Sequence, residues 1–288
     1  IDGYRIDSVQ NFDVAFWKEI LSRFKNAYPD RKIFAEVGVE HPSRKKPDGK
    51  PQYHLPRREA FCNTSGGIGF ESAYDFDLSG AIGETFAQDI PANSDAYALI
   101  AQSINTDHAF DRPWDMVACY DFYENFPMSG SFDRKKYPTY ADCLPKIRLA
   151  AAFLFTFVGM PCTYYGTEIG MTGENDPDCR KAFDWEESHW NTDLRTHYQK
   201  LMRLRKTRKA LQEGTVRFRS QGDLFVMERQ LQEELLVTVI NNTDCPQNYT
   251  LSGNHVRDLL SEKAFEGAQN ATVVEVPPFS AMILEKIN

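Results

Sequence analysis

The sequence has 288 residues, of which 42% are hydrophobic and 13% aromatic, enough to form one large core or two smaller ones. Its formal net charge of −8 argues against a nucleic-acid partner, because phosphate binding requires clustered lysine and arginine. The longest apolar run, residues 149–160, is interrupted by threonine and glycine and is shorter than the roughly 18 residues of a membrane span. We therefore expect a globular protein with no membrane partner and a neutral or cationic ligand.

The N-terminal residues predict a parallel pair of strands. Residues 2–9 alternate apolar and polar side chains, as in a short strand, and an apolar repeat from Phe12 to Phe24 has helical spacing. A second apolar strand is predicted at residues 32–39. A strand, a helix and a further strand in this order indicate that the two strands run parallel.

The alternation of strands and helices continues along most of the chain. The further elements predicted are a strand at 114–120, a helix at 145–157, a strand at 161–165 and an amphipathic helix at 194–211. From about residue 215 the pattern changes to short strands, which predicts an antiparallel β-sandwich. We therefore predict an α/β domain at residues 1–211 and an all-β C-terminal domain at residues 212–288.

Two carboxylates close the predicted parallel strands. Asp7 ends the first strand and Glu36 ends the second, and the carboxyl ends of parallel strands meet at one rim. Cleavage of a glycosidic bond requires such a pair, one carboxylate as nucleophile or base and the other as proton donor. Arg5 precedes Asp7 by two positions, so both side chains point the same way and the arginine can keep the aspartate ionised. A purely structural Asp–Arg pair at a strand end is the alternative.

Several sequence blocks resemble the α-amylase superfamily. Gly-Tyr-Arg-Ile-Asp at 3–7 is similar to the strand-four signature of that family, and Phe-Ala-Glu-Val at 34–37 is similar to its strand-five signature. Residues 161–171, with Asp-Pro-Asp-Cys-Arg at 176–180, resemble strand eight and its loop in cyclomaltodextrinases, neopullulanases and maltogenic amylases. The resemblance implies that Asp7 is the nucleophile and Glu36 the general acid/base.

The third carboxylate of the family, on strand seven, has two possible positions. One register places Asp121 at the carboxylate and Tyr120 at the histidine that precedes it in the family. A second register uses residues 123–127 and leaves Asn125 in place of the carboxylate. We favour Asp121, because this register needs no gap after the strand. Asp121 would complement positive charge at the transition state, and Tyr120 would offer a neutral hydrogen-bond donor to a sugar hydroxyl.

The resemblance also implies a fold and a substrate. The fold is the second half of a (β/α)8 TIM barrel, strands four to eight, followed by the β-sandwich. The substrate is an α-glucan or malto-oligosaccharide, cleaved with retention of configuration, and Arg5, Tyr120 and Tyr164 would contact it. Trp185 is a further candidate for stacking on a sugar ring. A transglycosylase or isomerase of the same superfamily, or a non-catalytic carbohydrate-binding relative, fits the same motifs.

No cofactor or metal ion is required by these residues. The six cysteines are scattered and the histidines lack the spacing of metal ligands. In the family, the strand-three signature that often bears calcium would lie upstream of Ile1, so calcium binding through that half is an open alternative. Because the predicted barrel is incomplete, we expect self-association or pairing with the missing half barrel. The compartment stays open between cytoplasmic and periplasmic or secreted, because the first residues resemble neither a start region nor a signal peptide and we expect the true N-terminus to be missing.

Overall fold

The computed structural model describes residues 1–7, 9–36, 69–73, 82, 85–86, 117–120, 139–173 and 180–287. Across these ranges the fold is mixed α/β, with parallel strand pairing before residue 164 and antiparallel pairing after residue 214. The helices in these ranges are all too short or too polar to cross a membrane.

The N-terminal unit is a parallel strand–helix–strand arrangement. Strand β1 (Gly3–Ile6) pairs with β2 (Lys32–Ala35), which pairs with the short β3 (Ser72–Ala73). Helix α1 (Val14–Ala27) connects β1 to β2. The carboxylate of Asp13 caps this helix by accepting two backbone amide hydrogens of the first turn. The predicted order of elements is therefore present, with shorter strands than expected.

A small apolar core lies between these strands and α1. It is formed by Val9, Trp17, Leu21, Ile33, Ala35 and Phe70. The buried indole of Trp17 donates a hydrogen bond to the Val9 carbonyl oxygen at 2.8 Å, which fixes the turn after β1 against the helix. Because alternate residues of a strand face opposite sides, Ile33 and Ala35 face this core whereas Phe34 and Glu36 lie on the other side.

The middle of the chain contains a second parallel pair and a buried helix. Strand β4 (Val117–Tyr120) pairs with β5 (Met160–Thr163). Helix α2 (Tyr140–Thr156) begins with a capping box, in which the side chains of Thr139 and Asp142 each accept the backbone amide hydrogen of the other residue. The helix therefore starts before the predicted residue 145, and Pro145 lies inside it.

The amphipathic segment predicted as one helix over 194–211 forms two helices. Helix α3 (Thr192–Thr207) ends where Arg208 adopts an extended conformation, with φ −99° and ψ 111°, and α4 (Lys209–Glu213) follows. The guanidinium of Arg208 hydrogen-bonds the Glu285 carboxylate at 2.6 Å. The break between the two helices thus coincides with a tertiary contact to the antiparallel sheet. The helical periodicity of the sequence does not predict such a break.

Residues 215–286 form antiparallel sheets. Their strands are β6 (Thr215–Gln221), β7 (Leu224–Leu231), β8 (Glu234–Asn241), β9 (Gln247–Ser252), β10 (His255–Asp258), β11 (Ala264–Glu266), β12 (Ala271–Val276) and β13 (Ser280–Lys286). One sheet has the order β11-β10-β13-β8-β7-β6, and β9 pairs with β12. Buried residues of both sheets, such as Val239, Tyr249 and Val274, share one core. The antiparallel character is as predicted, while the domain boundary near residue 212 stays a prediction.

A buried arginine joins α2 to the antiparallel sheet. Arg229 on β7 is 1% exposed, and its guanidinium donates to the carbonyl oxygens of Thr156 and Phe157 at 2.8 Å and of Gly214 at 3.1 Å. The guanidinium of Arg205 on α3 also donates to Phe157, at 2.6 Å. Burial, together with the nearby charge of Arg205, lowers the pKa of Arg229 to about 9. The carbonyl groups at the C-terminal end of α2 therefore accept hydrogen bonds from arginine side chains of two other elements.

Candidate active site

Asp7 and Glu36 directly follow the last paired residues of two neighbouring parallel strands. Ile6 is paired with Ala35, and the Glu36 amide donates to the Ile6 carbonyl oxygen at 2.7 Å. The register therefore places the two acidic residues beside each other at the carboxyl ends of β1 and β2. Both lie on the side of the sheet opposite the α1 core, since they are in phase with Arg5 and Phe34.

Arg5 contacts both carboxylates. One terminal nitrogen of its guanidinium lies 3.4 Å from a carboxylate oxygen of Asp7, and the same nitrogen hydrogen-bonds the Glu36 carboxylate. The side chains of Arg5, Asp7 and Glu36 are 41%, 69% and 23% exposed, so the cluster is open to solvent. One positive charge thereby offsets part of the repulsion between two adjacent negative charges. Since exposed ion pairs contribute only about 0–1 kcal/mol, stability alone gives little reason for this cluster.

The backbone around the two acidic residues is fixed by close contacts. The Val9 amide donates to the Glu36 carbonyl oxygen at 3.2 Å and ties the turn after β1 to the end of β2. A side chain at Gly3 would overlap the Lys32 carbonyl oxygen, so glycine permits the close approach of β1 and β2. The positions of Asp7 and Glu36 are consequently set by the strand pairing rather than by a long loop.

The other predicted sugar contacts lie at the second parallel pair. Tyr120 ends β4 opposite Thr163, and Tyr164 directly follows Thr163 at the end of β5. The ring of Tyr164 packs against Tyr165, with centroids 4.7 Å apart. The two alternatives for the third carboxylate, Asp121 and Asn125, lie outside the described residues. The choice between the two strand-seven registers therefore stays a prediction.

The segment after β5 forms a defined turn. Gly166 and Gly170 have left-handed φ angles of 88° and 82°, and a short 3-10 helix, Thr167–Ile169, lies between them. A side chain at Gly166 would overlap Met171. The backbone that follows the predicted strand eight therefore depends on glycine at a specific position.

A pocket of about 430 Å³ lies between this turn and residues 181–190. His189 Nδ1 is 2.9 Å from Asp184 Oδ2, and the Trp190 indole donates to the Asp184 carbonyl oxygen at 2.7 Å. Hydrogen bonds from the Glu186 amide and from His189 lower the pKa of Asp184. Trp185 is 80% exposed at this loop. Of the residues in this loop, only Trp185 was predicted from the sequence. The five-residue spacing of Asp184 and His189 is the local signal that could have indicated their contact.

Metal binding has no support from the described part of the chain. Within it, no group of three or more His, Cys, Asp or Glu side chains is arranged to hold a metal ion. Calcium binding by residues outside this part stays an alternative.

Comparison with solved structures identifies the class of fold. The chain matches over its whole length the α-amylase of Geobacillus thermoleovorans in complex with acarbose, with a TM-score of 0.77, 25% identity and coverage of 61% of that chain. It also matches an Anoxybacillus α-amylase with the same TM-score, 22% identity and coverage of 60% of that chain. The fold is therefore that of α-amylase-type enzymes.

Comparison with curated protein sequences identifies more specific relatives than the fold does. The chain is 28% identical to the cyclomaltodextrinase of Geobacillus thermopakistaniensis, over 98% of this chain and 44% of the relative. It is 29% identical to neopullulanase 2 of Thermoactinomyces vulgaris, over 99% of this chain and 45% of the relative. No protein-family model matches the sequence. The chain is thus a homologue of cyclomaltodextrinases and neopullulanases of the α-amylase family and spans slightly less than half their length, and the resemblance predicted from the motifs is confirmed.

Proposed function

We propose that the chain carries the catalytic carboxylates of a retaining α-glycoside hydrolase that acts on α-glucans or malto-oligosaccharides. The observation that supports this most directly is the placement of Asp7 and Glu36 at adjacent strand ends, with Arg5 in contact with both. The names of the relatives, cyclomaltodextrinase and neopullulanase, support the substrate class, as does the acarbose complex of the G. thermoleovorans α-amylase.

In the proposed reaction Asp7 is the nucleophile and Glu36 the general acid/base. A carboxylate oxygen of Asp7 forms a bond to the anomeric carbon while the bond from that carbon to the leaving oxygen breaks, and Glu36 gives its proton to that oxygen. Glu36 then takes a proton from water as the water oxygen attacks the same carbon and releases Asp7. Two displacements at one carbon give net retention of configuration.

In the proposed reaction, the remaining predicted residues stabilise charges on Asp7 and on the sugar ring and orient the sugar. Arg5 holds Asp7 in the ionised form that a nucleophile requires. Asp121 complements the positive charge that develops on the sugar ring, and Tyr120 and Tyr164 contact its hydroxyls or faces. In the architecture that belongs to this proposal, β1, β2, β4 and β5 are strands of one (β/α)8 barrel with its active site at their carboxyl ends, and residues 212–288 form a β-sandwich beside it.

Covalent labelling of the nucleophile tests the proposal in the protein that carries this chain. A fluorinated α-glucosyl fluoride forms a slowly hydrolysed ester with the nucleophile, and peptide mass spectrometry should locate that ester on Asp7. Asp7→Asn should abolish the label. Asp2→Asn is the matched control, because Asp2 is a fully exposed carboxylate in the same segment that pairs with Arg31 at 3.0 Å. A label on another residue in an active enzyme would contradict the assignment.

The products formed from maltose distinguish a hydrolase from a transglycosylase or isomerase. Incubation with maltose should increase the number of reducing ends if water is the acceptor, whereas an isomerase would yield an isomeric disaccharide. Formation of the isomer without hydrolysis would replace the hydrolase by a transglycosylase that uses the same carboxylates.

A further inference from the structure

A groove of about 730 Å³ lies between α2 and the strands β11, β12 and β13 of the antiparallel sheets. None of the residues of the Asp7–Glu36 cluster lines it. Its apolar surface includes Leu144, Pro145, Leu260, Phe265, Pro277 and Phe279. The volume falls within the range of roughly 300–1,000 Å³ that is usual for small-molecule sites.

Polar side chains of both charges are interleaved with this apolar surface. Arg148 of α2 and Lys263 supply positive charge, and Glu275 of β12 supplies an acceptor. Asp258 also lines the groove, but its carboxylate already accepts hydrogen bonds from the backbone amides of Leu260, Ser261 and Ile283 and from the Ser261 hydroxyl. The two cations and two carboxylates balance to no formal net charge, so the groove does not favour a ligand of either sign.

One donor at the groove has no acceptor. Arg148 Nε is buried and makes no hydrogen bond in the described part of the chain. The histidine beside it does not add charge, since burial lowers the pKa of His197 to about 4 and its Nε2 lies 3.1 Å from the Arg148 carbonyl oxygen. The wall formed by α2 therefore presents a guanidinium with unused hydrogen-bonding capacity beside a neutral imidazole.

The opposite wall is held in place by local contacts. Phe279 has a positive φ of 46°, and its amide donates to the Thr243 carbonyl oxygen at 3.0 Å. The ammonium of Lys146 lies 4.1 Å from the centre of the Phe279 ring, and the Ser280 hydroxyl donates to Pro277 at 2.7 Å. A wall fixed in this way needs little reordering to receive a ligand, which reduces the entropic cost of binding.

We propose that this groove is a second, non-catalytic binding site for a neutral polyhydroxylated ligand, a segment of an α-glucan chain. Each sugar hydroxyl both donates and accepts, so it can use Arg148 and Lys263 as donors and Glu275 as an acceptor at the same time. The partly exposed ring of Phe265, whose centre lies 5.0 Å from the Lys263 ammonium, offers apolar surface for the C–H face of a sugar ring beside that donor. The choice of glucan among polyols rests on the proposed function.

Hydrogen exchange on the 288-residue chain locates the binding. Saturating maltoheptaose should slow amide exchange in peptides that cover 141–149, 258–265 and 275–282. Phenyl phosphate, an anionic ligand with an apolar ring, should not. Absence of protection by maltoheptaose in these peptides, or equal protection by phenyl phosphate, would overturn the proposal.

Two variants on different walls test the contacts separately. Phe265→Leu keeps an apolar side chain but removes the ring, and Arg148→Met keeps the stem but removes the donors. Each should weaken maltoheptaose binding at the groove roughly threefold to tenfold. Tyr28→Leu is the control, because Tyr28 is an exposed ring that does not line the groove, and it should bind as the parent does. Unchanged affinity in both groove variants would exclude the site.

The outcome is independent of catalysis. Asp7→Asn should lose hydrolysis and keep protection of the groove peptides, whereas the groove variants should keep hydrolysis of maltotriose. Protection of the groove without any hydrolysis by the protein that carries this chain would contradict the catalytic proposal alone.

Discussion

Arg5 in the N-terminal unit and Arg229 in the antiparallel sheets make opposite kinds of contact. The side chain of Arg5 is 41% exposed and contacts two carboxylates at strand ends, whereas Arg229 is 1% exposed and donates to main-chain carbonyl groups. Water and a substrate can replace the exposed contacts at low cost, because exposed ion pairs are weak. The buried contacts cannot be replaced without leaving carbonyl groups unpaired. An exposed arginine at a strand end, such as Arg5, is therefore suited to a role in catalysis. A buried arginine between elements, such as Arg229, is suited to stabilising the fold.

Substitution of the nucleophile should give the largest effect. In the protein that carries this chain, Asp7→Asn removes the covalent route and should lower kcat on maltotriose by at least about 10³. The free energy of unfolding should change little, because Asp7 is exposed. Steady-state kinetics and urea unfolding measure the two quantities. Near-normal turnover of Asp7→Asn would remove this residue from the mechanism.

Substitution of the buried arginine should show the reverse pattern. Arg229→Met leaves the carbonyl groups of Thr156 and Gly214 without this donor and should lower the free energy of unfolding by about 2–4 kcal/mol. Arg23→Met is the control, since the Arg23 side chain is 76% exposed and pairs with Glu19 one helical turn away, and it should cost less than about 0.5 kcal/mol. Equal losses in the two variants would show that Arg229 does not join the elements.

The parallel unit could be predicted because its signals are local. Alternating strands, a helical apolar repeat and acidic residues at strand ends predict both the order of elements and the rim on which Asp7 and Glu36 lie. The predicted start of α2 at residue 145 was wrong, because the helix begins at Tyr140 and contains Pro145. The stronger signal was Thr139 with an acidic residue three positions later, a capping box.

The remaining features depend on contacts between distant residues. The break at Arg208 accompanies a hydrogen bond to Glu285, and the hydrogen bonds of Arg229 reach Thr156, so neither follows from a sequence window. The groove beside α2 is lined by segments more than one hundred residues apart in sequence, as Leu144 and Phe279 illustrate. Strand β12, by contrast, alternates buried and exposed residues, and its local sequence pattern is that of the short strands predicted after residue 215.

Acid should weaken the contact between α3 and α2 through one histidine. The pKa of His197 is about 4 in the folded protein, below the ordinary value of 6.5, so the unfolded state binds more protons between these pH values. Stability is therefore complete above pH 6.5 and declines as the pH falls towards 4. Because His197 is half-buried, we expect a loss of about 1–2 kcal/mol from this group.

His197→Gln isolates the contribution of this group from other titrations. Glutamine keeps an N–H donor for the Arg148 carbonyl oxygen but does not titrate. The free energy of unfolding measured at pH 7 and pH 4.5 should fall less in His197→Gln than in the parent chain. An identical fall in both proteins would mean that His197 titrates normally in the folded state.

The two regions also differ in how their exposed apolar side chains are arranged. Phe12 and Phe16 at the start of α1 are 54% and 44% exposed, and their rings stack with centroids 5.3 Å apart, whereas Val273 on β12 is a single exposed apolar side chain, 58% accessible. Adjacent apolar side chains on a surface favour association, while isolated ones are ordinary. We therefore expect the 288-residue chain to self-associate through this aromatic pair.

The double variant Phe12→Ser, Phe16→Ser should reduce self-association in sedimentation velocity. It should also lower the free energy of unfolding by roughly 1–2 kcal/mol, because both rings contact the buried Trp17, with centroid distances of 5.6 and 5.1 Å. Val273→Ser is the matched control and should leave the sedimentation profile unchanged. If both variants sediment like the parent chain, self-association does not involve α1. The apolar contact would then have to be sought at the edge of β1, where Tyr4 is 50% exposed.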